Sequence, residues 1–291
     1  MVRVRCLCIP VLTLAVISCA TAPPRAERPA DLSVITFNIW YDYENEWVAR
    51  KQILHRYLTD HDADIIGLQE VISAIPEYFL LENRPLEWLE RHFSAEYEIA
   101  GTESFSPLLV RRDGFEIQDS GVFWLSETPE IPWSNHWGHV VPTSVTWARV
   151  RHEGLDAEFM VMNTHLGVLN PSGRRRSIEL IYSRTPSDIP VIIMGDFNET
   201  PRRYVSRYLR RRGFVDSHAR SGGSFRVFAG SSFAPYRIDY IMVRGFELVE
   251  SWIDTPREGG VFVSDHNALV AHLAYGYQAP LGPAPEGWPY E

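Results

Sequence analysis

Residues 191–198 read VIIMGDFN, an apolar run that passes directly into a glycine, an aspartate and an asparagine. The β-branched residues at its start favour a strand, and an apolar run without polar alternation is typical of a strand covered on both faces. Such strands occur in layered structures, because helices or a second sheet must cover each face of the sheet. The segment therefore predicts a buried strand over 191–195, followed at once by Asp196.

Five further segments have the same form, with polar residues at or near the end of an apolar run. They are TFNIW with Asn38, DIIGLQE with Glu70, MVMNTHLG with Asn163 and His165, RIDYI with Asp239, and VSDHN with Asp265 and His266. Helical spacing of apolar residues over 46–57 and 76–93 alternates with these strands. We predict one α/β (α+β) domain over residues 32–275, with two sheets packed between helices.

The polar residues at the strand ends predict a metal site. Strand ends of this kind meet at one rim of a sheet, and a buried carboxylate there costs free energy unless it is paired or binds a cation. The carboxylates are Glu70, Asp196, Asp239 and Asp265, accompanied by His165 and His266. An oxygen-rich set without cysteine suits Mg²⁺, Mn²⁺ or Ca²⁺ better than zinc. A single aspartate or asparagine at a strand end is more often a turn former or a helix cap, so the prediction depends on the whole set.

The charge balance limits the classes of partner. The chain has 28 lysines and arginines against 37 aspartates and glutamates, a net charge of −9. Proteins that hold long nucleic acids by electrostatic attraction are usually basic, so this balance disfavours that class. An enzyme that contacts phosphate groups only locally remains compatible with it.

The N-terminal residues are typical of an export signal. Arg3 and Arg5 precede an apolar run over 6–17, which is shorter than the roughly 20 residues that a permanent membrane-spanning helix needs. We expect residues 1–18 to be a signal peptide and the protein to work in the bacterial cell envelope, facing the periplasm or the exterior. The end of the run, VISC, resembles the bacterial lipobox, which implies a lipid anchor on Cys19. An ordinary secretory signal with an incidental cysteine is the alternative.

Two segments beside the domain have compositions that disfavour packed structure. Residues 19–31 are rich in proline and alanine, which predicts a tether, and residues 276–291 contain four prolines, which predicts an irregular tail. Cys6, Cys8 and Cys19 are the three cysteines of the chain. The predicted domain therefore has no thiol for a disulfide or for a metal.

The motifs TFNIW, LQE, NTH, GDFN, RIDYI and SDH follow one another across residues 36–266. In this order they resemble the endonuclease/exonuclease/phosphatase superfamily, and SGVFWLSETP over 120–129 is similar to a secreted bacterial branch of mostly unassigned substrate. The resemblance implies a DNase I-like, four-layer α/β/β/α sandwich of two mainly antiparallel sheets. It also implies metal-dependent cleavage of phosphoester bonds.

The resemblance assigns roles to the residues that would handle metal, water and phosphate. Glu70, Asn38 and Asp265 would hold Mg²⁺ (or Mn²⁺ or Ca²⁺) against a phosphate oxygen. Asp196 would orient and deprotonate the attacking water, and Asn198 would hydrogen-bond the phosphate.

The remaining site residues would stabilise charge in the transition state. His266, oriented by Asp239, would act as an imidazolium beside the phosphate. His165, with Asn163 beside it, would donate a hydrogen bond to the phosphate or the leaving group.

Four positions depart from the family pattern, all in the substrate-facing half. Ser104 stands where a glutamate usually orients the histidine that matches His165, and Ser106 stands where an asparagine is common. Thr143 replaces an arginine, and Gly167 replaces an aspartate. We expect an unusual substrate or slow turnover from these differences.

Two groups outside the motifs are candidate substrate contacts. Arg174, Arg175 and Arg176 could clamp phosphate, or could form a solvated helix face. Trp133 and Trp137 could stack on a base or enter lipid headgroups, or could pack against the domain.

The first functional interpretation is an exported phosphodiesterase or nuclease-like hydrolase. A phosphomonoesterase or a lipid-headgroup phosphodiesterase resembling sphingomyelinases is the second. The substrate would be a nucleic acid, a nucleotide, an inositol phosphate or a phospholipid headgroup, and the lipid anchor would make the membrane a partner. A cell-envelope binding module with little turnover on the same fold is an interpretation of another class.

Overall fold

The structure is a computed structural model that describes residues 31–40, 47–72, 85–219, 222–226 and 233–275. The predicted signal peptide, Cys19, all but the last residue of the predicted tether, and the predicted tail lie outside these residues. None of the described helices is both long enough and apolar enough to cross a membrane.

The described chain alternates short helices with strands. Its first half contains β1 (Leu32–Asn38), α1 (Trp47–His61), β2 (Ile65–Gln69), α2 (Pro85–Phe93), β3 (Tyr97–Ala100), β4 (Leu108–Arg111) and β5 (Phe115–Trp124). Its second half contains β6 (Ser144–His152), β7 (Ala157–His165), α3 (Pro171–Ser183), β8 (Val191–Asp196), α4 (Tyr204–Arg210), β9 (Val215–Asp216), β10 (Asp239–Arg244), β11 (Phe246–Asp254), β12 (Arg257–Glu258), β13 (Val261–Phe262) and β14 (Ala268–Tyr275).

Twelve of the described strands form two six-stranded sheets, and β12 and β13 form a separate pair. The order is β11-β14-β1-β2-β4-β3 in the first sheet and β5-β6-β7-β8-β10-β9 in the second. Each sheet has one parallel pair, β1 with β2 and β7 with β8, and its other neighbours are antiparallel. The predicted mainly antiparallel sheets are confirmed.

Three apolar clusters divide the fold into four layers. Side chains from both sheets meet in the central cluster, where Val34 of β1 and Ile192 of β8 are buried. Leu54 of α1 and Leu89 of α2 belong to a second cluster on the outer face of the first sheet. Helices α3 and α4 cover the outer face of the second sheet in a third cluster. This arrangement confirms the predicted α/β/β/α sandwich, because each sheet buries one face against the other sheet and one against helices.

The parallel pair in each sheet carries the polar strand ends to one edge of the sandwich. Asn38 pairs in register with Gln69 at the ends of β1 and β2, and His165 pairs with Asp196 at the ends of β7 and β8. Strand β10 runs antiparallel to β8 and begins at the same edge, where Asp239 pairs with Asp196. The sheet register therefore determines which polar side chains become neighbours.

Candidate active site

Left-handed backbone at two positions shapes the turns that follow the parallel strands. Glu70, just after β2, has φ 62°, and Asn198, two residues after β8, has φ 49°. Non-glycine residues adopt this region rarely, and asparagine does so more readily than most. At Asn198 the strain is offset locally, since its backbone N–H donates to Asp196 Oδ1 at 2.8 Å. Both turns direct polar side chains to the edge at which the strands end.

His266 and Asp239 form a buried pair at the base of the site. The imidazole Nδ1 lies 2.9 Å from Asp239 Oδ2, and both side chains are shielded from solvent. Burial opposes a charged imidazole, but the carboxylates of Asp239 and Asp196 outweigh it and raise the pKa of His266 to about 10. The ring is therefore an imidazolium at neutral pH, held in one orientation by its carboxylate partner.

Asp196 lies between the two histidines. Its Oδ2 is 3.3 Å from His165 Nε2 and 3.7 Å from His266 Nε2. Burial raises the pKa of Asp196, the nearby Asp239 charge adds to the rise, and the two histidines oppose it. A carboxylate with a raised pKa accepts a proton more readily, which suits a general base.

His165 and Asn198 approach Asp196 from the side of the cleft. Asn198 Nδ2 lies 3.0 Å from His165 Nε2 and also donates to the Leu166 carbonyl at 2.8 Å. His165 Nδ1 is 4.0 Å from Glu70 Oε1, and about a quarter of the imidazole side chain is exposed, 26%. Its two ring nitrogens therefore face the two acids that the sequence assigned to metal and water.

Asn38 links these acids, and this position differs from its predicted role as a metal ligand. Its Nδ2 donates to Glu70 Oε1 at 2.9 Å and to Asp196 Oδ2 at 3.2 Å. Its Oδ1, the atom that would bind a cation, accepts the Trp40 backbone N–H at 2.9 Å. In this arrangement Asn38 orients the two carboxylates.

Glu70 and Asp265 are the acids placed to hold a cation. Both line the cleft beside Asp196. Burial raises the pKa of Asp265, His266 opposes the rise, and the Glu70 charge adds to it. An Asp265 carboxylate whose charge is disfavoured by that of Glu70, in an oxygen-rich site without a thiol, fits a hard divalent cation, which relieves the repulsion.

A second group of potential ligands lies deeper. One ligand atom each from Asp196, Asp239 and His266 falls within 4.8 Å of the others, and all three side chains are buried. The hydrogen bond between His266 and Asp239 already uses one ring nitrogen and one carboxylate oxygen. This group is better suited to moving or holding a proton than to binding the cation.

Asn163 lies between the two sheets, so its predicted catalytic position is wrong. Its side chain is fully buried, and its Oδ1 accepts a hydrogen bond from Gln69 Nε2 at 2.7 Å. Its Nδ2 donates to the Leu68 and Pro107 carbonyls, each at 2.8 Å. Alternation along β7 places Asn163 and His165 on one face, but only the terminal residue reaches the cleft.

The predicted substrate-binding arginines do not line the cleft. Arg174 is buried and donates to the carbonyls of Gly167 and Val168, each at 2.7 Å. Arg175 lies over the ring of Tyr204, at 4.4 Å from its centroid, and Arg176 is paired with Glu127 at 3.7 Å. Arg174 is thus a structural residue, and the other two belong to the solvated helix face that was the alternative interpretation.

The two tryptophans contact the domain, although 42% of Trp133 stays exposed. The ring of Trp133 lies 4.5 Å from that of Trp124 and 5.2 Å from that of Phe105. Trp137 packs against the cluster under α3 and α4. Neither residue lines the cleft, so the packing interpretation is the one that the structure supports.

The positions that depart from the family pattern have structural partners of their own. Ser104 Oγ lies 2.8 Å from Thr146 Oγ1 and also contacts the Ser106 backbone N–H, so it does not orient His165. A side chain at Gly167 would meet the ring of His139 at 2.3 Å. Thr143 lines the cleft, and its buried hydroxyl has no hydrogen-bond partner among the described residues.

Two serines that the sequence analysis missed hold the backbone of the site. Ser264 Oγ donates to the Asn38 carbonyl at 2.7 Å and accepts the His266 backbone N–H at 2.9 Å. Ser224 Oγ accepts the backbone N–H of Asp239 at 3.1 Å. Ser264 belongs to the SDH motif, so its place in the site could have been predicted from the sequence. Ser224 belongs to none of the motifs and could not have been predicted in this way.

Arg226 is a third missed residue. It is buried, and its guanidinium donates to the backbone carbonyls of Ser264 and His266 and to the side-chain oxygen of Asn267. Burial lowers the pKa of Arg226, and the Asp265 charge opposes that effect. It braces the loop that presents Asp265 and His266, and nothing in the sequence around it marks this role.

The site opens into a cleft of about 330 Å³. Its base is formed by the polar residues Glu70, His165, Asp196, Asn198, Asp265 and His266. Its remaining lining is formed by Trp40, Val140, Val141, Thr143, Leu166, Gly167, Val168 and Phe225. A proton acceptor, two histidines and two acids suited to a cation thus face one cleft, which is the arrangement that metal-assisted hydrolysis requires.

Solved structures with the same fold are similar to this chain. An endonuclease/exonuclease/phosphatase from Bacteroides vulgatus is 26% identical, with a TM-score of 0.72 over 84% of this chain and 99% of that one. The mannosyl-6-phosphatase Bt3783 of Bacteroides thetaiotaomicron is 24% identical, with a TM-score of 0.67 over 84% of this chain and 100% of that one. TDP2 of D. rerio, complexed with a single-strand DNA product, is 16% identical, with a TM-score of 0.63 over 84% of this chain and 98% of that one.

The sequence comparisons assign the family. No curated protein matches the chain at a significant level. Residues 35–266 match the profile of the Endonuclease/Exonuclease/phosphatase family, a span that includes the site residues from Asn38 to His266. The chain therefore belongs to this family, whose members are phosphoester hydrolases.

Proposed function

We propose that the protein is a Mg²⁺-dependent phosphodiesterase. The observation that carries the proposal is the position of Asp196, which contacts Asn38 and lies between His165 and His266 at the base of the cleft. A buried carboxylate between two imidazoles, next to a pair of acids suited to a cation, can activate water beside a bound phosphate.

The chain's own residues divide the reaction between them. Asp196 orients a water molecule and takes one of its protons as the water oxygen bonds to phosphorus. Asn198 and the imidazolium of His266 donate hydrogen bonds to the phosphate oxygens, which gain charge in the transition state. As the bond to the leaving group breaks, His165 lies close enough to the cleft to supply the proton that the leaving oxygen takes.

Glu70 and Asp265 hold the metal ion in this proposal, and Asn38 fixes the Glu70 carboxylate through its 2.9 Å hydrogen bond. Divalent-metal dependence is general in the family, and the oxygen donors favour Mg²⁺ over softer ions. When bound, the ion supplies positive charge against a phosphate oxygen.

The charge of the cleft favours a diester over a monoester. Among the described residues that line the cleft, none is an arginine or a lysine, whereas three are acids. A phosphomonoester carries about −1.5 to −2 charges at neutral pH, and a diester carries about one, so the monoester needs more compensating positive charge. One of the similar structures is a mannosyl-6-phosphatase, which keeps monoester hydrolysis as the second candidate.

We also propose that the protein is exported and anchored in the cell envelope through Cys19. The support for this proposal is the sequence of residues 1–19, with its basic start, short apolar run and VISC ending. Treatment of cells with labelled palmitate should label the wild-type protein and leave Cys19→Ala unlabelled. An unlabelled wild type would leave the ordinary secretory signal as the better interpretation.

The activity test uses purified protein with bis(p-nitrophenyl) phosphate and p-nitrophenyl phosphate. We expect faster hydrolysis of the diester, dependence on Mg²⁺, and loss of activity with EDTA. Asp196→Asn should abolish turnover, whereas Asp60→Asn, a change at an exposed carboxylate of α1, should not. Equal rates for Asp196→Asn and the wild type would contradict the mechanism, and no hydrolysis of any phosphoester would favour the binding module.

A further inference from the structure

The lining of the cleft combines a polar base with an apolar rim. Val140 and Val141 come from the loop before β6, and Val168 comes from the loop after β7. The exposed fractions of these valines are 73%, 53% and 55%, respectively. Exposed apolar groups that line a cleft are typical of a surface that a ligand covers.

Hydrogen bonds hold the backbone at Val168 and connect the two loops that carry the valines. The carbonyls of Gly167 and Val168 accept hydrogen bonds from the buried Arg174, each at 2.7 Å. Asn170 Nδ2 donates to the Trp137 carbonyl at 2.6 Å, which joins the loop after β7 to the loop that carries Val140. The two loops are therefore joined to each other beside the cleft, and their valines line the same side of it as one wall.

The three arginines of α3, which is the described helix after the loop that carries Val168, do not line the cleft. The guanidiniums of Arg174, Arg175 and Arg176 are occupied by backbone carbonyls, by a tyrosine ring and by a glutamate. The described part of the cleft lining has no arginine or lysine for a second phosphate. Recognition of nucleic acid relies on such contacts to neighbouring phosphates, and recognition of a polyphosphorylated ring would need them too.

From this wall we propose that the substrate carries a hydrocarbon group, alkyl or aryl, next to the phosphate that is cleaved. The inference rests on the proposed phosphodiesterase function and names its substrate class. The phosphate occupies the polar base, and the hydrocarbon lies against Val140, Val141 and Val168. Each methylene group that leaves water on this wall should raise kcat/KM by about fourfold, which corresponds to about 0.8 kcal/mol.

The test uses p-nitrophenyl phosphodiesters that share one leaving group and differ in the second substituent. Methyl, butyl, hexyl and thymidine-5′ esters are hydrolysed by the purified full-length protein with Mg²⁺, and kcat/KM is measured for each. We expect a rise from methyl to hexyl of tenfold or more and a hexyl value above that of the thymidine ester. Equal values for methyl and hexyl, or a higher value for the thymidine ester, would overturn the inference.

Variants locate the effect on the wall. The double variant Val140→Ser/Val168→Ser should reduce the hexyl-to-methyl ratio of kcat/KM at least threefold. Val48→Ser, at a valine of α1 that is 51% exposed and outside the cleft, is the matched control and should leave the ratio unchanged. An unchanged ratio in the double variant would place the hydrocarbon elsewhere and contradict the assignment.

Two sources present this chemistry, a free ester and a lipid in a bilayer. Phosphatidylcholine vesicles with Mg²⁺, assayed for release of phosphocholine, distinguish them. If phosphocholine is released faster than the hexyl ester is hydrolysed, the substrate is a lipid in a bilayer. If it is released more slowly, the substrate is a free ester. Either result agrees with a hydrocarbon substituent on the substrate. No hydrolysis of any ester, methyl included, would refute the phosphodiesterase function itself, whereas a flat series refutes only the substrate class.

Discussion

The Nδ1 atom of His266 lies 2.9 Å from Oδ2 of Asp239, although 26 residues separate the two in the sequence. Neither side chain has appreciable contact with solvent, and Ser224 and Ser264 hold the backbone on either side of the pair. The pair is therefore built into the fold before any ligand binds. Its consequence is a charged imidazolium at the base of a cleft otherwise dominated by acids.

Replacement of Asp239 by asparagine should lower kcat by roughly 100-fold or more, because the imidazolium loses its charged partner and its fixed orientation. The pKa of His266, raised to about 10 mainly by Asp239 against the effect of burial, should fall. The protonated ring is the active form, so the alkaline limb of the pH–rate profile should move to lower pH. Profiles with the diester measure both effects, and a variant whose alkaline limb stays in place would contradict the assigned role.

Replacement of Glu70 by glutamine should weaken metal binding. The change removes one of the two cleft-lining acids assigned to the cation but keeps the size of the side chain. We expect the Mn²⁺ dissociation constant, measured by titration calorimetry, to rise at least roughly tenfold. Glu98→Gln, on β3 and paired with Arg112, is the control, and its affinity should match the wild type. An unaltered Mn²⁺ affinity in Glu70→Gln would show that other residues bind the metal.

The ion pair between His61 and Asp254 should make stability depend on pH. Its atoms are 2.9 Å apart, and the Asp254 hydrogen bond raises the pKa of His61 above 6.5 in spite of burial. Burial acts to raise the pKa of Asp254, but hydrogen bonds from His61 and Trp252 give a net shift below 3.8. The contribution of His61 to the free energy of unfolding is fully present below pH 6.5 and is lost as the pH rises above that value. The contribution of Asp254 is lost as the pH falls below about 4.

Urea unfolding at pH 5.5 and pH 9 checks this expectation. The His61→Gln variant should be destabilised by roughly 0.5–1 kcal/mol at pH 5.5 and by less at pH 9, since the pair is partly exposed. A destabilisation that is larger at pH 9 would show that the imidazole acts mainly in its neutral form.

Substitution of alanine for Gly67 should destabilise the domain, because the two sheets approach each other closely at this residue. A Cβ there would lie 2.7 Å from Met194 Cε and 2.9 Å from Asn163 Cγ. We expect a loss of roughly 1–3 kcal/mol in the free energy of unfolding. Gly154→Ala, at an exposed turn before β7, should change it by less than about 0.5 kcal/mol. An unchanged free energy of unfolding in Gly67→Ala would show that the two sheets can move apart at this residue without loss of stability.

The sequence by itself determined the layered fold and the polar base of the cleft. Apolar runs such as VIIMGD bury both faces only within a layered structure, and polar residues at their ends then lie at a sheet edge. The acids Glu70, Asp196 and Asp265 and the histidines His165 and His266 were identifiable on this ground, and all of them line one cleft.

The tertiary structure decided which groups contact each other. Asn163 and His165 lie two residues apart on the same face of β7, yet Asn163 joins the two sheets and His165, the last residue of the strand, reaches the cleft. The sequence shows a run of three arginines in α3 that could bind phosphate. In the folded protein their guanidinium groups contact backbone carbonyls, a tyrosine ring and a glutamate instead. Arg226 supports His266 across 40 residues, and no local pattern encodes a contact that depends on sheet register and loop packing.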